Sequence, residues 1–229
     1  MTGGADADAI RIDPAGGGPA EFCAVVLHGL GADGSDLAPL AKQLPALARF
    51  RTVLPNAPHR PITVNGGMTM RAWYDIAGID LEQRQDAEGI AESAEAIRRI
   101  IAAEVQAGVA PGRIFLAGFS QGGAMSLHVG LRQPEPLAGI ASLSGYLPLA
   151  DTLESEISPA AGEVPVFMAH GSRDPIVPVS AAHASRDELA AAGVDVEYRE
   201  YPIDHGISME EAEALNGWLN RARAKAEGR

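Results

Sequence analysis

Ser120 stands at the centre of Gly118-Phe119-Ser120-Gln121-Gly122, a G-x-S-x-G pentapeptide between an apolar run and a helical pattern. A serine hydroxyl is a weak nucleophile at neutral pH, so it needs a base, and the base needs an orienting acid. On a sharp strand-to-helix turn the serine is lifted clear of its neighbours. Glycine on either side, two positions away, avoids crowding the strand and the helix. The following helix points its N-terminus at the serine, which favours developing negative charge there. By itself, the pentapeptide is also compatible with a glycine-rich turn that has no catalytic use.

Four histidines follow Ser120: His128, His170, His183 and His205. His128 falls about two turns along the helix after the serine, so it points away. His170 ends a strand and precedes the acid, which is the wrong order for the base. His183 lies early in a helix on a solvent-facing side. His205, in YPIDHGIS, follows the last strand and precedes the last helix. A base belongs on such a loop, at the carboxyl end of a sheet. Asp174, in HGSRDPIVP, occupies an equivalent loop stiffened by Pro175 and Pro178. Asp204 adjoins His205, but adjacent side chains diverge, and Asp187 and Glu188 read as solvated helix residues. The expected set is Ser120 as nucleophile, His205 as base and Asp174 as its orienter.

Acyl transfer also requires donors aimed at a tetrahedral oxygen. The backbone N–H of Gln121, directly after the serine, is one candidate. The glycine-rich His28–Gly34 loop after an early strand supplies the other, assigned to the N–H of Leu30. His28 reads as structural: no second histidine stands at ligand spacing and no H-E-x-x-H occurs. Neither a metal nor a cofactor is expected.

The elements that must position these residues are short apolar strands alternating with helices. Strands are expected at Phe22–Gly29, Phe50–Asn56, Arg113–Gly118, Leu137–Gly145, Val164–Gly171 and Val196–Tyr201. Helices are expected from DGSDLAPLAKQL, then Asp86–Gln106, Gln121–Leu131, Ser180–Ala192 and Ser208–Lys225. In the second helix Ile90, Ala94, Ile97, Ile101 and Val105 form an apolar stripe, with Gly108 and Pro111 as stop signals. Glu210, Glu211 and Glu213 open the last helix and Arg221, Arg223 and Lys225 close it, which suits its dipole. This alternation implies an α/β fold: a mostly parallel, doubly wound sheet between two helical layers. Residues 1–20 read as a loose segment or at most one edge strand, and residues 21–229 as one domain.

The chain of 229 residues carries a formal net charge of −12, which argues against nucleic acid and anionic membranes as partners. Its single cysteine, Cys23, lies within an apolar strand and reads as a small buried hydrophobe. No intrachain disulfide is possible, which fits a reducing compartment. The N-terminal residues lack an apolar signal core, and no apolar run approaches the length of a membrane span. A cytoplasmic protein without stable membrane insertion is expected.

The blocks HGLGADG, LPNAPHRPITVNGG, RAWYDI, GFSQGGAMSLH, LSGYLP, HGSRDPIVP and DHGIS occur in the order found in the phospholipase/carboxylesterase family of α/β hydrolases, which this chain resembles from about Phe22 to its end. The resemblance implies a cofactor-free serine carboxylesterase acting on a small-molecule ester, or an acyl thioesterase or lysophospholipase, often as a homodimer. It implies the same triad and the same oxyanion donors. It also places Trp73 beside the acyl pocket, with ordinary core packing as the alternative. Met68 and Met70 suit an adaptable apolar wall or a loop anchor. Ile176 and Val177, just after the acid, are candidate pocket residues. Gly145 and Tyr146 stand where eukaryotic members tend to carry cysteine and tryptophan, which leans toward the bacterial esterases. The rival from another class is a non-catalytic α/β domain that binds apolar ligands.

Overall fold

The computed structural model describes residues 9–78 and 85–228. The strands are β1 (Ile10–Ile12), β2 (Cys23–Leu27), β3 (Arg51–Leu54), β4 (His59–Ile62), β5 (Met68–Arg71), β6 (Ile114–Phe119), β7 (Gly139–Leu143), β8 (Val166–Gly171) and β9 (Val196–Tyr201). The α-helices are α1 (Gly34–Gln43), α2 (Ala87–Gln106), α3 (Gln121–Gly130), α4 (Leu153–Glu156), α5 (Val179–Ala191) and α6 (Met209–Glu227). Seven strands form one sheet in the order β1-β3-β2-β6-β7-β8-β9. All neighbours in it are parallel except β1, which runs antiparallel to β3 with Ile10 opposite Leu54.

The central strands are buried on both faces because alternate residues feed two cores. Val25, Leu116, Ile140 and Met168 join one core with Ile90 of α2, Met125 of α3, Leu153 of α4 and Leu189 of α5. Ala24, Phe115, Ala141 and Phe167 join the other, with Leu37 of α1 and Leu215 of α6. A period of two therefore carries two apolar faces at once, which is why these strands read as continuous apolar runs.

The α/β architecture is the one expected, and several details differ. Four strands are shorter than expected, the strand expected at Arg113–Gly118 is shifted to Ile114–Phe119, and only Val196–Tyr201 has the expected limits. In α2 the stripe ends early. Val105 is 37% exposed, and Ile100, Ile101 and Glu104 are the buried residues of its last turns. Glu104 is tolerated inside because Arg51 and Arg11 approach its carboxylate at 3.3 and 3.8 Å. Glu211, grouped by sequence with the dipole-facing acids of α6, is buried. Of the N-terminal segment, Ile10–Ile12 is an edge strand, while residues 1–8 lie outside the described residues. The stretch from Asn56 to Tyr74 is not simply a long loop: β4 and β5 pair as an antiparallel hairpin, Ile62 opposite Met68.

Strand order reverses direction at the β2–β6 boundary, since the chain builds outward to β3 and β1 on one side and to β7, β8 and β9 on the other. Such a reversal leaves a crevice at the carboxyl ends of the two strands. The candidate residues lie there.

Candidate active site

Ser120 follows β6 and caps α3 with φ 54° and ψ −120°, a region that residues with a side chain rarely occupy. Such a conformation costs on the order of 1–3 kcal/mol and persists only where its surroundings enforce it. Enforcement is local. The N–H of Ser120 donates to the carbonyl of Leu143 on β7 at 2.8 Å, and its carbonyl accepts from Ala124 at 3.0 Å. A Cβ on Gly118 would lie 2.3 Å from the backbone of Gly122, and one on Gly122 only 2.2 Å from the Leu27 carbonyl. Both glycines are thus required by backbone contact.

His205 brings the three candidate side chains together. The Ser120 hydroxyl lies 2.9 Å from His205 Nε2, and His205 Nδ1 lies 2.6 Å from Asp174 Oδ2. The carboxylate accepts from Nδ1–H, which leaves Nε2 as the acceptor for the Ser120 hydroxyl. Asp174 is held in turn: its Oδ1 accepts the N–H groups of Ile176 at 2.8 Å and Val177 at 2.9 Å. The His205 ring lies 4.9 Å from that of Phe119, which buttresses it from the strand side.

Gln121 begins α3, so its N–H has no acceptor within the helix. Its side chain is buried and committed: Oε1 accepts the Trp73 N–H at 2.8 Å and Nε2 donates to the Tyr74 carbonyl at 2.7 Å. Leu30 lies across the crevice, past the end of β2. His28 is wholly buried there; its Nδ1 donates to the Gly29 carbonyl at 2.7 Å and its Nε2 accepts the Ala57 N–H at 3.0 Å. Burial lowers its pKa, so a neutral, structural His28 fits both contacts.

A cleft of about 470 Å³ opens over Ser120 and His205. Leu30, Ala32, Leu37, Phe119, Ile176 and Ile207 give it apolar walls. Ile176 is therefore in the wall, with 64% of its surface exposed. Met68, Met70, Trp73 and Val177, the other candidate pocket residues, do not line this cleft. Met68 is 64% exposed on the β4–β5 hairpin and is not among the lining residues. Trp73 is completely buried, with its indole N–H donating to the His28 carbonyl at 2.9 Å. Val177 is buried and faces the acid through its N–H. Phe119, Leu37 and Ile207 were not singled out by sequence. Phe119 is one position before Ser120 and Ile207 two after His205, so proximity to the candidate pair was the available signal.

His128 and His183 stand apart from the candidate triad. His128 is buried in α3, its pKa lowered to about 4 by burial and by the positive charge of Arg132. His183 pairs with Glu200 at 2.5 Å on the surface. Asp204 lies 3.7 Å from Arg173 and does not orient His205. Cys23 is buried and its thiol pKa is pushed up by desolvation. Among the described residues, no group of three or more His, Cys, Asp or Glu is placed to hold a metal ion. No helix among them is long and apolar enough to cross a membrane.

Known proteins share this fold. The family profile described as Phospholipase/Carboxylesterase matches residues 14–222. The chain is similar to acyl-protein thioesterase 1 of Mycosarcoma maydis, 38% identical over 212 residues that cover 85% of this chain and 88% of that protein. It is similar to the crystal structure of Arabidopsis thaliana SOBER1, with a TM-score of 0.84 and 32% identity, covering 88% of this chain and 98% of that one. It is also similar to the crystal structure of Zea mays acyl-protein thioesterase 2, with a TM-score of 0.83 and 28% identity over 94% of this chain and 98% of that one. The chain belongs to the phospholipase/carboxylesterase family and is a serine hydrolase of the α/β-hydrolase fold.

Proposed function

We propose that this enzyme hydrolyses carboxylic esters through Ser120, His205 and Asp174 by way of an acyl-enzyme. The observation that carries the reading is the continuous relay from Ser120 Oγ to His205 Nε2 at 2.9 Å and from His205 Nδ1 to Asp174 Oδ2 at 2.6 Å. Ser120 Oγ attacks the ester carbonyl carbon while His205 Nε2 takes the hydroxyl proton. The carbonyl π pair moves to oxygen, where the N–H groups of Leu30 and Gln121 receive it. Collapse of the tetrahedral species expels the alcohol oxygen, which leaves with the proton from His205. Water then gives its proton to His205, adds to the acyl carbon and releases the acid, returning the proton to Ser120 Oγ. Asp174 keeps Nδ1 protonated and stabilises the imidazolium in both halves.

Thioester hydrolysis is the second reading, favoured by the acyl-protein thioesterase names of the relatives. The same relay serves it, because a thiolate leaves more readily than an alkoxide. A homodimer is part of the proposal only as an assembly the family resemblance implies. The test is a chain-length series of p-nitrophenyl esters and matched acyl thioesters on purified protein, with Ser120→Ala beside it. Turnover of the esters that disappears in Ser120→Ala supports the esterase reading. Turnover confined to the thioesters moves the assignment to the second reading, and activity that persists in Ser120→Ala rejects both.

A further inference from the structure

We propose that the segment Arg71–Tyr74 is a bracket that sets the spacing of the two oxyanion donors, with Trp73 and the Gln121 side chain as its positioning residues. This rests on the assignment of Leu30 and Gln121 as donors given above. The donors sit beyond the ends of β2 and β6, whose pairing stops at Leu27 opposite Gly118. Two residues separate each donor from that last pair, so the sheet ladder does not fix their relative position.

One short segment spans the gap. On the Leu30 side, the Trp73 indole N–H donates to the carbonyl of His28 at 2.9 Å, and the Arg71 carbonyl accepts the N–H of Gly31 at 2.8 Å. Leu30 is therefore held on both flanks by residues two apart in β5 and just after it. On the Gln121 side, the Trp73 N–H and the Tyr74 carbonyl clasp the two ends of the Gln121 amide at 2.8 and 2.7 Å. The bracket is itself anchored. The Ala72 N–H donates to Pro58 at 3.0 Å, Arg60 Nε donates to the Ala72 carbonyl at 3.0 Å, and the Ser93 hydroxyl donates to the Trp73 carbonyl.

A residue that merely filled volume would require only the bulk of the indole. Trp73 instead directs both of its N–H groups to the two sides of the oxyanion site. Both bonds are fully buried, where a polar contact of fixed geometry resists displacement. Donors help only when they are aimed in advance at the developing oxyanion, and a displacement near 1 Å costs on the order of a hundredfold in rate. Gln121 consequently acts twice: its backbone N–H faces the reaction and its side chain fixes where that N–H stands.

The experiment compares Trp73→Phe, which keeps an aromatic ring and deletes the indole donor, with Gln121→Met, which keeps length and deletes the amide. The control is Ile100→Val, a buried position on α2 away from the site. Each protein is assayed for kcat and KM on p-nitrophenyl butyrate and for inhibition by an alkyl trifluoromethyl ketone, whose serine adduct carries the oxyanion. The expected result is a fall in kcat of roughly 10- to 100-fold in both variants, with KM held within about twofold. The inhibition constant rises by the same factor as kcat/KM falls. Ile100→Val loses thermal stability with kcat unchanged. If kcat and inhibitor affinity stay at the wild-type level in the variants, or kcat falls with inhibitor affinity unchanged, the bracket is overturned. Should Trp73→Phe not fold, Gln121→Met decides alone. Labelling of wild-type Ser120 by a fluorophosphonate separates the two levels. An unlabelled wild type removes the catalytic reading itself, whereas a labelled wild type with unaffected variants removes only the bracket.

Discussion

His170 donates from Nε2 to the carbonyl of Val177 at 2.8 Å, and the N–H of that same Val177 donates to Asp174 Oδ1 at 2.9 Å. The imidazole is fully buried, its Nδ1 has no hydrogen-bond partner among the described residues, and burial lowers its pKa. It is thus a neutral Nε2–H tautomer that shapes the loop presenting the acid. His170→Phe keeps the ring and removes the donor, leaving the Val177 carbonyl unpaired. We expect kcat on a p-nitrophenyl ester to fall about tenfold with KM little changed, and stability to drop by about 1–3 kcal/mol. Steady-state kinetics and urea unfolding of the variant check both.

Buried histidines make the fold sensitive to acid. His128 titrates near 6.5 when unperturbed and about 4 in the folded protein. Between those values the unfolded chain binds the proton and the folded chain does not, so stability is present above about 6.5 and lost as pH falls toward 4. The full loss from this group is on the order of 3 kcal/mol. His28 and His170 shift in the same direction. His128→Gln should flatten the stability profile across that window. Urea unfolding at a series of pH values measures the slope.

Glu211 carries the opposite sign. Its carboxyl is buried in the first turn of α6, and desolvation, only partly offset by a backbone hydrogen bond from Ser208, raises its pKa from 4.5 to about 7. The folded state holds the proton where the unfolded state releases it. Stability from this group is therefore fully present below 4.5 and lost as pH rises through about 7. Glu211→Gln should raise the melting temperature at pH near 8 and change it little near pH 5, with a gain on the order of 3 kcal/mol at the alkaline end. Thermal melts at the two pH values provide the comparison.

Ile176 is the apolar wall residue with the most exposed surface beside the cleft. Truncating it removes apolar contact with a long acyl or alcohol chain and disturbs little packing. Ile176→Ala should lower kcat/KM for an octanoyl ester by about three- to tenfold, leave an acetyl ester within about twofold, and keep the melting temperature. The chain-length profile is the measurement.

The sheet and the candidate triad were legible because their signals are local. A strand buried on both faces reads as an apolar run; Ser120 and Asp174 follow such strands, and His205 follows the last, more polar strand Val196–Tyr201 in chain order. The β4–β5 hairpin was hidden by Pro61, which argues against a strand within a sheet. In a two-stranded hairpin both strands are edges, so the missing N–H costs little. Trp73, Val177 and Met68 are the instructive cases. The family resemblance suggested a pocket position for Trp73, the place after the acid suggested one for Val177 and apolar adaptability suggested one for Met68, but none of these signals encodes direction. Trp73 turns inward to His28, Val177 turns behind Asp174, and Met68 turns to solvent. The Gln121 amide escaped for the same reason, since its partners lie 47 and 48 residues away in sequence.

The central claim is that Ser120 carries the acyl group. Brief exposure of the wild-type protein to a p-nitrophenyl ester, followed by acid quench and peptide mass spectrometry, reads it directly. The expected result is an added acyl mass on the peptide containing Ser120, absent in Ser120→Ala and accumulating in parallel with a burst of p-nitrophenol. Ester turnover with no acyl mass on Ser120, or the same mass on another residue in both proteins, would contradict it.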